Sequence, residues 1–168
     1  MTETLEKRPY GKTGARVTVV GLGGAPLAKH SFADGVATVH RALELGVTYF
    51  DTSPGYGRGM SQAIYGEALK GHSEEYLLAT KIGYLACPSR FRSLDALRAQ
   101  FEENLRLLRR DRVDVLQVHE SDHPYWWTDD TTHGKLIKAD HDYDFANAPV
   151  MQVLREEKTQ GRCRFIGI

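Results

Sequence analysis

The sequence lacks several features that mark particular classes of protein. No stretch approaches the roughly 18 consecutive apolar residues of a membrane span, and Met1 to Arg8 contains no apolar run of the kind found in a secretory signal. The 22 basic residues balance the 22 acidic ones, so no net field attracts nucleic acid or an anionic membrane. We therefore expect a cytoplasmic protein whose partner is a small molecule, with no nucleic acid and no membrane.

Cysteine and glycine motifs are also missing. The two cysteines, Cys87 and Cys163, are too far apart for a CxxC or zinc-type pair, and we interpret them as ordinary thiols of a reducing compartment. The pair Gly21 and Gly23 is followed by Pro26 where a dinucleotide-binding fingerprint needs its third glycine. A Rossmann-type nucleotide site is therefore not predicted.

What the sequence does contain is an alternation of strand and helix patterns. Tyr10 to Val17 reads as a hairpin around a turn at residues 11–14. Five β-branched or apolar runs then alternate with four segments whose apolar residues recur at helical spacing. The predicted strands are Val17–Leu22, Val47–Asp51, Tyr76–Lys81, Val113–His119 and Arg164–Ile168, and the predicted helices are Asp34–Leu45, Ser61–Lys70, Ser93–Leu108 and Val150–Thr159.

This alternation indicates a parallel sheet, because each helix returns the chain to the same end of the sheet. A (β/α)8 barrel needs eight strands and about 250 residues, whereas this chain has 168 residues. An open five-stranded sheet would leave a hydrophobic edge uncovered. We therefore expect residues 1–168 to be a single α/β domain, a TIM barrel truncated at its C-terminus.

Four polar residues follow the ends of consecutive predicted strands. Asp51 ends the second strand, Tyr56 lies in the loop after it, Lys81 ends the third strand and His119 ends the fourth. In parallel barrels the C-terminal ends of the strands and their loops hold the active site. These four side chains are therefore predicted to meet.

The chemistry that suits them is proton transfer coupled to hydride transfer. A tyrosine phenol ionises in water only near pH 10, and a lysine ammonium beside it would favour the anion. Lys81 can supply that charge, and Asp51 is the carboxylate that would keep a buried Lys81 protonated. His119 can hydrogen-bond a substrate oxygen and orient it. Nothing in this chemistry requires a metal.

The sequence also contains a match to the zinc-protease motif HExxH, at His119-Glu120-Ser121-Asp122-His123. That motif works only on a helix, where both histidines face one metal. Here a β-branched strand leads into it and Pro124 follows it. We interpret the match as a coincidence and expect no metal.

Three segments in combination resemble the signature regions of the aldo-keto reductases. They are Asp51-Thr52-Ser53-Pro54-Gly55-Tyr56-Gly57, Leu78-Ala79-Thr80-Lys81 and Asp114-Val115-Leu116-Gln117-Val118-His119. The resemblance implies a TIM barrel that uses NADP or NAD, with Tyr56 as general acid or base. Residues 55–61 are most similar to the branch acting on aldoses, galactose-type sugars or pyridoxal.

The resemblance also implies contacts beyond these four residues. Gly23 and Gly24, with Asp51, match the nicotinamide end of the cofactor site. Candidate substrate contacts are Tyr84, Glu120 and Trp126. Trp126 belongs to an aromatic cluster in the long loop from Glu120 to Ala146, and covering the barrel mouth or an oligomer contact explains such a cluster equally well.

The sequence departs from the family pattern after Ile168. Family members continue with polar residues that hold the nicotinamide amide, and with later loops that bind the cofactor phosphates. Two hypotheses follow: an NAD(P)-dependent oxidoreductase that reduces a carbonyl or oxidises an aldose, or a non-catalytic barrel fragment or binding module that needs a partner. An oligomer or a complementing C-terminal chain is the partner expected in addition to the substrate.

Overall fold

The hairpin lies at the N-terminus of the molecule. The computed structural model describes residues 5–72, 76–83, 91–129 and 136–168. Strand β1 (Lys7–Pro9) pairs antiparallel with β2 (Arg16–Thr18), and the turn between them closes with a hydrogen bond from the Tyr10 amide to the Ala15 carbonyl of 2.8 Å. The Tyr10 hydroxyl lies 3.1 Å from that of Tyr49. The predicted hairpin is therefore confirmed.

The main sheet has five parallel strands in the order in which they occur in the chain. They are β3 (Leu22–Gly23), β4 (Tyr49–Asp51), β5 (Leu77–Ile82), β6 (Val113–Val118) and β7 (Cys163–Gly167). Each strand pairs in parallel with the next. All five C-terminal ends therefore lie along one edge of the sheet.

Helices provide the crossovers between these strands. In the described part of the chain they are α1 (Phe32–Glu44), α2 (Met60–Ala68), α3 (Leu94–Leu108) and α4 (Pro149–Thr159). Because α1 begins with a side-chain cap from Ser31 and is followed by a left-handed glycine at Gly46 (φ +79°), its ends lie close to the predicted ones. None of the described helices is long and apolar enough to cross a membrane.

The core lies between the helices and the face of the sheet that they cover. Phe50 of β4, Leu78 of β5 and Leu116 of β6 are at most 1% exposed and point to the helices. Helical residues packed in the same cluster include Val39, Ile64, Phe101 and Leu154. Because side chains alternate along a strand, the residues between them point to the other face, where the polar side chains lie.

One predicted strand is wrong. Val17–Leu22 was expected to be the first buried strand of the sheet, yet Val17 belongs to the hairpin and only Leu22–Gly23 pairs with β4. Val19 and Val20 are 47% and 55% exposed. The Thr18 amide donates to the Thr48 hydroxyl (2.9 Å), which diverts the chain between the two sheets. A β-branched run does not reveal such a division, because both halves favour extended backbone.

Candidate active site

The parallel register brings the predicted residues to one edge of the sheet. Asp51 is the last residue of β4, Lys81 lies near the end of β5, and His119 follows β6 directly. Residue Asp51 pairs with Ala79 and Lys81 with Gln117. The structure therefore brings Asp51, Lys81 and His119 together, with Tyr56 above them in the loop after β4.

The Lys81 ammonium is held in one orientation by three acceptors. Its Nζ lies 2.6 and 2.8 Å from the two carboxylate oxygens of Asp51 and 3.0 Å from the carbonyl of Thr52. The side chains of Lys81 and Asp51 are 13% and 24% exposed. An ammonium has three protons to donate, so each of them has an acceptor and the charge stays in place.

The far side of β5 is held by amide side chains of the helices. The Asn104 amide donates to the Lys81 carbonyl (2.9 Å), and the Gln62 amide donates to the Thr80 hydroxyl (3.0 Å). Both amide residues are fully buried. These bonds fix the strand segment that carries Lys81.

Tyr56 lies between the cation and the imidazole. The Lys81 Nζ is 4.8 Å from the centre of the Tyr56 ring, and the ring of His119 is 5.7 Å away at an angle of 87°. The loop that carries Tyr56 turns at Gly57, whose φ is +62° and where a Cβ would come within 2.3 Å of Ala28. Only glycine fits such a position without strain.

His119 lies in an environment that disfavours its protonated form. Burial and the charge of Lys81 lower the pKa of His119, while Glu120, Asp51 and a hydrogen bond to the Gly83 backbone oppose that shift. The imidazole is therefore neutral at neutral pH, which lets it donate a hydrogen bond without carrying a charge.

Ser53 is a site residue that was not predicted from the sequence. Its hydroxyl lies 3.1 Å from the Nδ1 atom of His119, and the residue is fully buried. The available signal was its place in the strand-end segment between Asp51 and Tyr56. A serine in a loop is common, so that signal did not distinguish it from a turn residue.

The two glycines expected at the cofactor site differ in their surroundings. Gly23 is exposed, pairs with Asp51 and has no atom within 4 Å of where a Cβ would lie. Gly24 is buried, and a Cβ there would come within 2.2 Å of the Ser61 hydroxyl and 2.9 Å of the Tyr65 ring. Gly23 thus leaves an open surface beside Asp51, whereas Gly24 allows close packing beneath it.

Trp126 lies beneath the site as a packed side chain. It is 0% exposed, its ring meets Phe91 edge to face at 4.2 Å, and its indole nitrogen donates to the His119 carbonyl (3.0 Å). The ring also fills the space beside Gly83. Trp126 was expected to contact the substrate, but its ring is buried and has no exposed surface.

Glu120, another expected substrate contact, lies in the turn after β6. Glu120 is exposed, with a φ of +52°, and its carboxylate lies 3.8 Å from the imidazole of His123. Residues 119–123 form the turn after β6 rather than a helix, so they lack the geometry of an HExxH zinc site. Tyr84 lies outside the described residues. Within the described ranges, no cluster of three or more His, Cys, Asp or Glu side chains could hold a metal.

The site therefore combines a phenol, a fixed ammonium and a neutral imidazole beside an exposed glycine. The ammonium favours a negative charge on an adjacent oxygen, and the imidazole can orient a second oxygen. Such a set can pass a proton to or from a substrate oxygen. Gly23 leaves open space beside Asp51 for a further group.

The sequence matches a family model over most of its length. The model described as "Aldo/keto reductase family" matches residues 19–168. The chain is 34% identical to the L-galactose dehydrogenase of Arabidopsis thaliana, over 98% of this chain and 48% of that protein. It therefore spans about half the length of this relative.

Solved structures share the same architecture. An aldo-keto reductase from Bacillus halodurans in its holo form superposes with a TM-score of 0.74 and 25% identity, over 98% of this chain and 50% of that one. One from Klebsiella pneumoniae in complex with NADPH gives a TM-score of 0.67 at 20% identity, over 99% of this chain and 49% of that one, which shows the fold alone. The predicted fold class, the N-terminal hairpin and first five strands of a (β/α)8 barrel, is confirmed.

Proposed function

Because the chain belongs to the aldo/keto reductase family, which consists of oxidoreductases, we propose that its site serves the NAD(P)-dependent reduction of a carbonyl or oxidation of a sugar hemiacetal. The chain spans about half the length of the relatives it matches. The proposal therefore concerns the part of the reaction that these residues can perform. The observation that carries it is the Lys81 ammonium, bound by three acceptors and 4.8 Å from the Tyr56 ring.

We assign Tyr56 as the group that exchanges the proton with the substrate oxygen. In reduction its phenol gives a proton to the developing alkoxide, and in oxidation its phenolate takes the proton from the hydroxyl. The neighbouring charge of Lys81 stabilises the phenolate in either direction. Asp51 keeps that ammonium in place, and His119 orients the substrate oxygen toward Tyr56.

NADP or NAD supplies or accepts the hydride when it is bound. The open flank of Gly23 beside Asp51 would receive the nicotinamide ring, and the buried Gly24 would support that flank from below. The NADPH complex of the Klebsiella pneumoniae neighbour supports NADP as the first cofactor to test.

A polyhydroxylated sugar is the substrate class that we propose. The similarity to an L-galactose dehydrogenase supports it, and the exposed carboxylate of Glu120 beside His119 offers acceptors for sugar hydroxyls. Tyr84 is retained as a further candidate contact. Trp126 would act by supporting His119, because its own surface is buried.

Replacing Tyr56 by phenylalanine tests the central assignment. We expect turnover of aldose with NADP or NAD to fall by about 100-fold or more, the usual effect of losing a positioned acid or base, with an unchanged circular dichroism spectrum. Tyr10→Phe is a matched control, because that phenol lies at the opposite end of the sheet beside Tyr49. Turnover that survives in Tyr56→Phe would contradict the role.

A cofactor titration separates the enzyme from the alternative of a binding module or barrel fragment. Fluorescence titration with NADPH and NADH, followed by a turnover assay, compares the two. Binding with turnover supports the oxidoreductase. Saturable binding without turnover supports the binding module, and the absence of both supports a fragment that needs a partner.

A further inference from the structure

Ser53 makes two hydrogen bonds at the base of the site. Its hydroxyl oxygen accepts from the Gly55 amide (3.1 Å) and lies 3.1 Å from Nδ1 of His119. The residue is 0% exposed, so water does not compete for these bonds. Its position on the loop directly after β4 is set by Asp51 and Thr52, which are tied to Lys81.

The direction of the bond to His119 follows from the single proton of a hydroxyl. The Gly55 amide can only donate, so it occupies a lone pair of the Ser53 oxygen. If Nδ1 also donated to that oxygen, the Ser53 proton would have no acceptor within the described ranges. A buried donor without an acceptor is costly. The favourable arrangement is therefore that Ser53 donates to Nδ1.

We propose that Ser53 is a positioning residue that holds His119 as the neutral tautomer with its hydrogen on Nε2. The Nε2–H group is then the donor that His119 offers to the substrate oxygen. This second step rests on the proposed function, whereas the tautomer itself does not. The Gly83 carbonyl also hydrogen-bonds the imidazole, and a carbonyl only accepts, so in this tautomer the single Nε2 hydrogen serves that carbonyl until a substrate oxygen takes its place.

The rest of the surroundings hold the imidazole in the same pose. The His119 amide donates to the Ile82 carbonyl (3.0 Å), and the His119 carbonyl accepts from the Trp126 indole (3.0 Å). The backbone of His119 is thus fixed on both sides, and the Tyr56 ring meets the imidazole edge to face. Burial and Lys81 keep the ring neutral by lowering the pKa of His119. With the pose and charge fixed, the Ser53 hydroxyl opposite Nδ1 favours the form with the hydrogen on Nε2.

The test is nitrogen NMR of the imidazole in the purified chain. Long-range ¹H–¹⁵N correlation at pH 7.5 distinguishes a protonated from an unprotonated ring nitrogen, and His119→Gln identifies the signals of His119 among the seven histidines. We expect Nε2 of His119 to be protonated and Nδ1 to be unprotonated. In Ser53→Ala we expect the Nδ1–H form to appear as a mixture or to predominate.

Ser61→Ala is the matched control. Ser61 is also fully buried, and its hydroxyl bonds to Thr52 (2.8 Å) rather than to His119. This variant should lose a buried hydroxyl without changing the His119 signals. A change of the same size in Ser61→Ala would show a general packing effect and would overturn the inference.

Two results of the main experiment would also overturn it. One is a wild-type spectrum with the hydrogen on Nδ1, which needs no variant to fold. The other is a folded Ser53→Ala chain with an unchanged Nε2–H pattern. Because neither readout requires turnover, a chain without activity but with the expected tautomer would refute the proposed function and leave this inference standing.

Discussion

Lys81 illustrates what a residue in isolation does and does not reveal. Its place at the end of a β-rich segment predicted its location, and Asp51 at the end of the preceding strand predicted its counter-charge. The third acceptor, the Thr52 carbonyl, is a backbone atom, and a backbone atom carries no mark in the sequence. The role of Ser53 was equally hard to predict, because it depends on the Nδ1 atom of His119, which is 66 residues away in the sequence.

A double-mutant cycle on Lys81 and Asp51 measures how strongly the pair is coupled. Lys81→Met leaves a partly buried carboxylate without its partner, and Asp51→Asn leaves the ammonium with weaker acceptors. We expect each variant to lower the free energy of unfolding by about 1 to 3 kcal/mol. The double variant should lose less than the sum, because the second change removes a charge that is already unpaired. Urea unfolding measures all four proteins, and additive losses would contradict coupling.

His119 should make stability depend on pH. Because burial and Lys81 lower the pKa of His119 in the folded chain, the unfolded chain takes up a proton first as the pH falls below about 6.5. Asp51 and Glu120 reduce this effect without reversing it. The stability from the neutral imidazole is therefore complete above that pH and is lost on acidification toward the lower, folded-state pKa.

The comparison is between wild type and His119→Gln, unfolded in urea at several values from pH 8 to pH 5. The difference in unfolding free energy, wild type minus variant, should be constant above about pH 7.5 and should decrease as the pH falls through 6.5. Subtracting the variant removes the contribution of the other six histidines. A difference that grows on acidification would mean that His119 is stabilised in its protonated form.

At the scale of elements, helix ends were easier to predict than strand starts. Serine and glycine commonly flank helices, and in the structure Ser31 caps the start of α1 while Gly46 follows its end. The extended run from Val17 to Leu22 carries no such signal, and the structure divides it between the hairpin and the sheet. Strand limits depend on which neighbour supplies the hydrogen bonds, and that neighbour is distant in sequence.

The two serine caps provide a prediction for the helices. Ser31 and Ser93 accept hydrogen bonds from the amides of Asp34 (3.1 Å) and Ala96 (3.2 Å). Replacing either by alanine should lower the unfolding free energy by about 1 kcal/mol, measured by urea unfolding. Ser31→Asn retains an accepting oxygen and should restore most of the loss. An asparagine variant as unstable as the alanine variant would show that the cap does not contribute through this bond.

For the whole molecule, topology was the strongest predictor of the site. Five parallel strands in sequential order place all their C-terminal ends at one edge of the sheet. Asp51, Lys81 and His119 were therefore predicted to lie together from the strand order, without a decisive local motif. The long loop after β6 could not be predicted in this way, because Trp126 is placed by contacts with Phe91 and Gly83 rather than by a repeating pattern. That residues 1–168 form one domain in the cytoplasm stays a prediction.

The sheet has two outer strands, β3 and β7. An exposed apolar residue, Val20, precedes β3, and another, Ile168, follows β7. Val20 is 55% exposed and Ile168 is 74% exposed. Unpaired strand edges favour association between chains. We therefore expect the 168-residue polypeptide to self-associate as its concentration rises in sedimentation or size-exclusion experiments.

The variant Val20→Lys with Ile168→Lys should shift that polypeptide toward the monomer, because charge on an edge disfavours pairing. Leu136→Lys is the control: Leu136 is also 55% exposed but lies in the loop between β6 and α4. Equal effects of the edge and loop variants would show that general surface hydrophobicity, rather than the sheet edges, drives association.

The indole of Trp126 anchors the start of the long loop after β6. Trp126 donates to the His119 carbonyl, so insertions or deletions between these two residues would disturb the imidazole. The next residue, Trp127, donates instead to the Ser121 carbonyl (2.7 Å) and packs against Phe145. Lengthening or shortening the chain between His119 and Trp126 would therefore move the imidazole relative to Tyr56, so a redesign of this loop should leave that length unchanged.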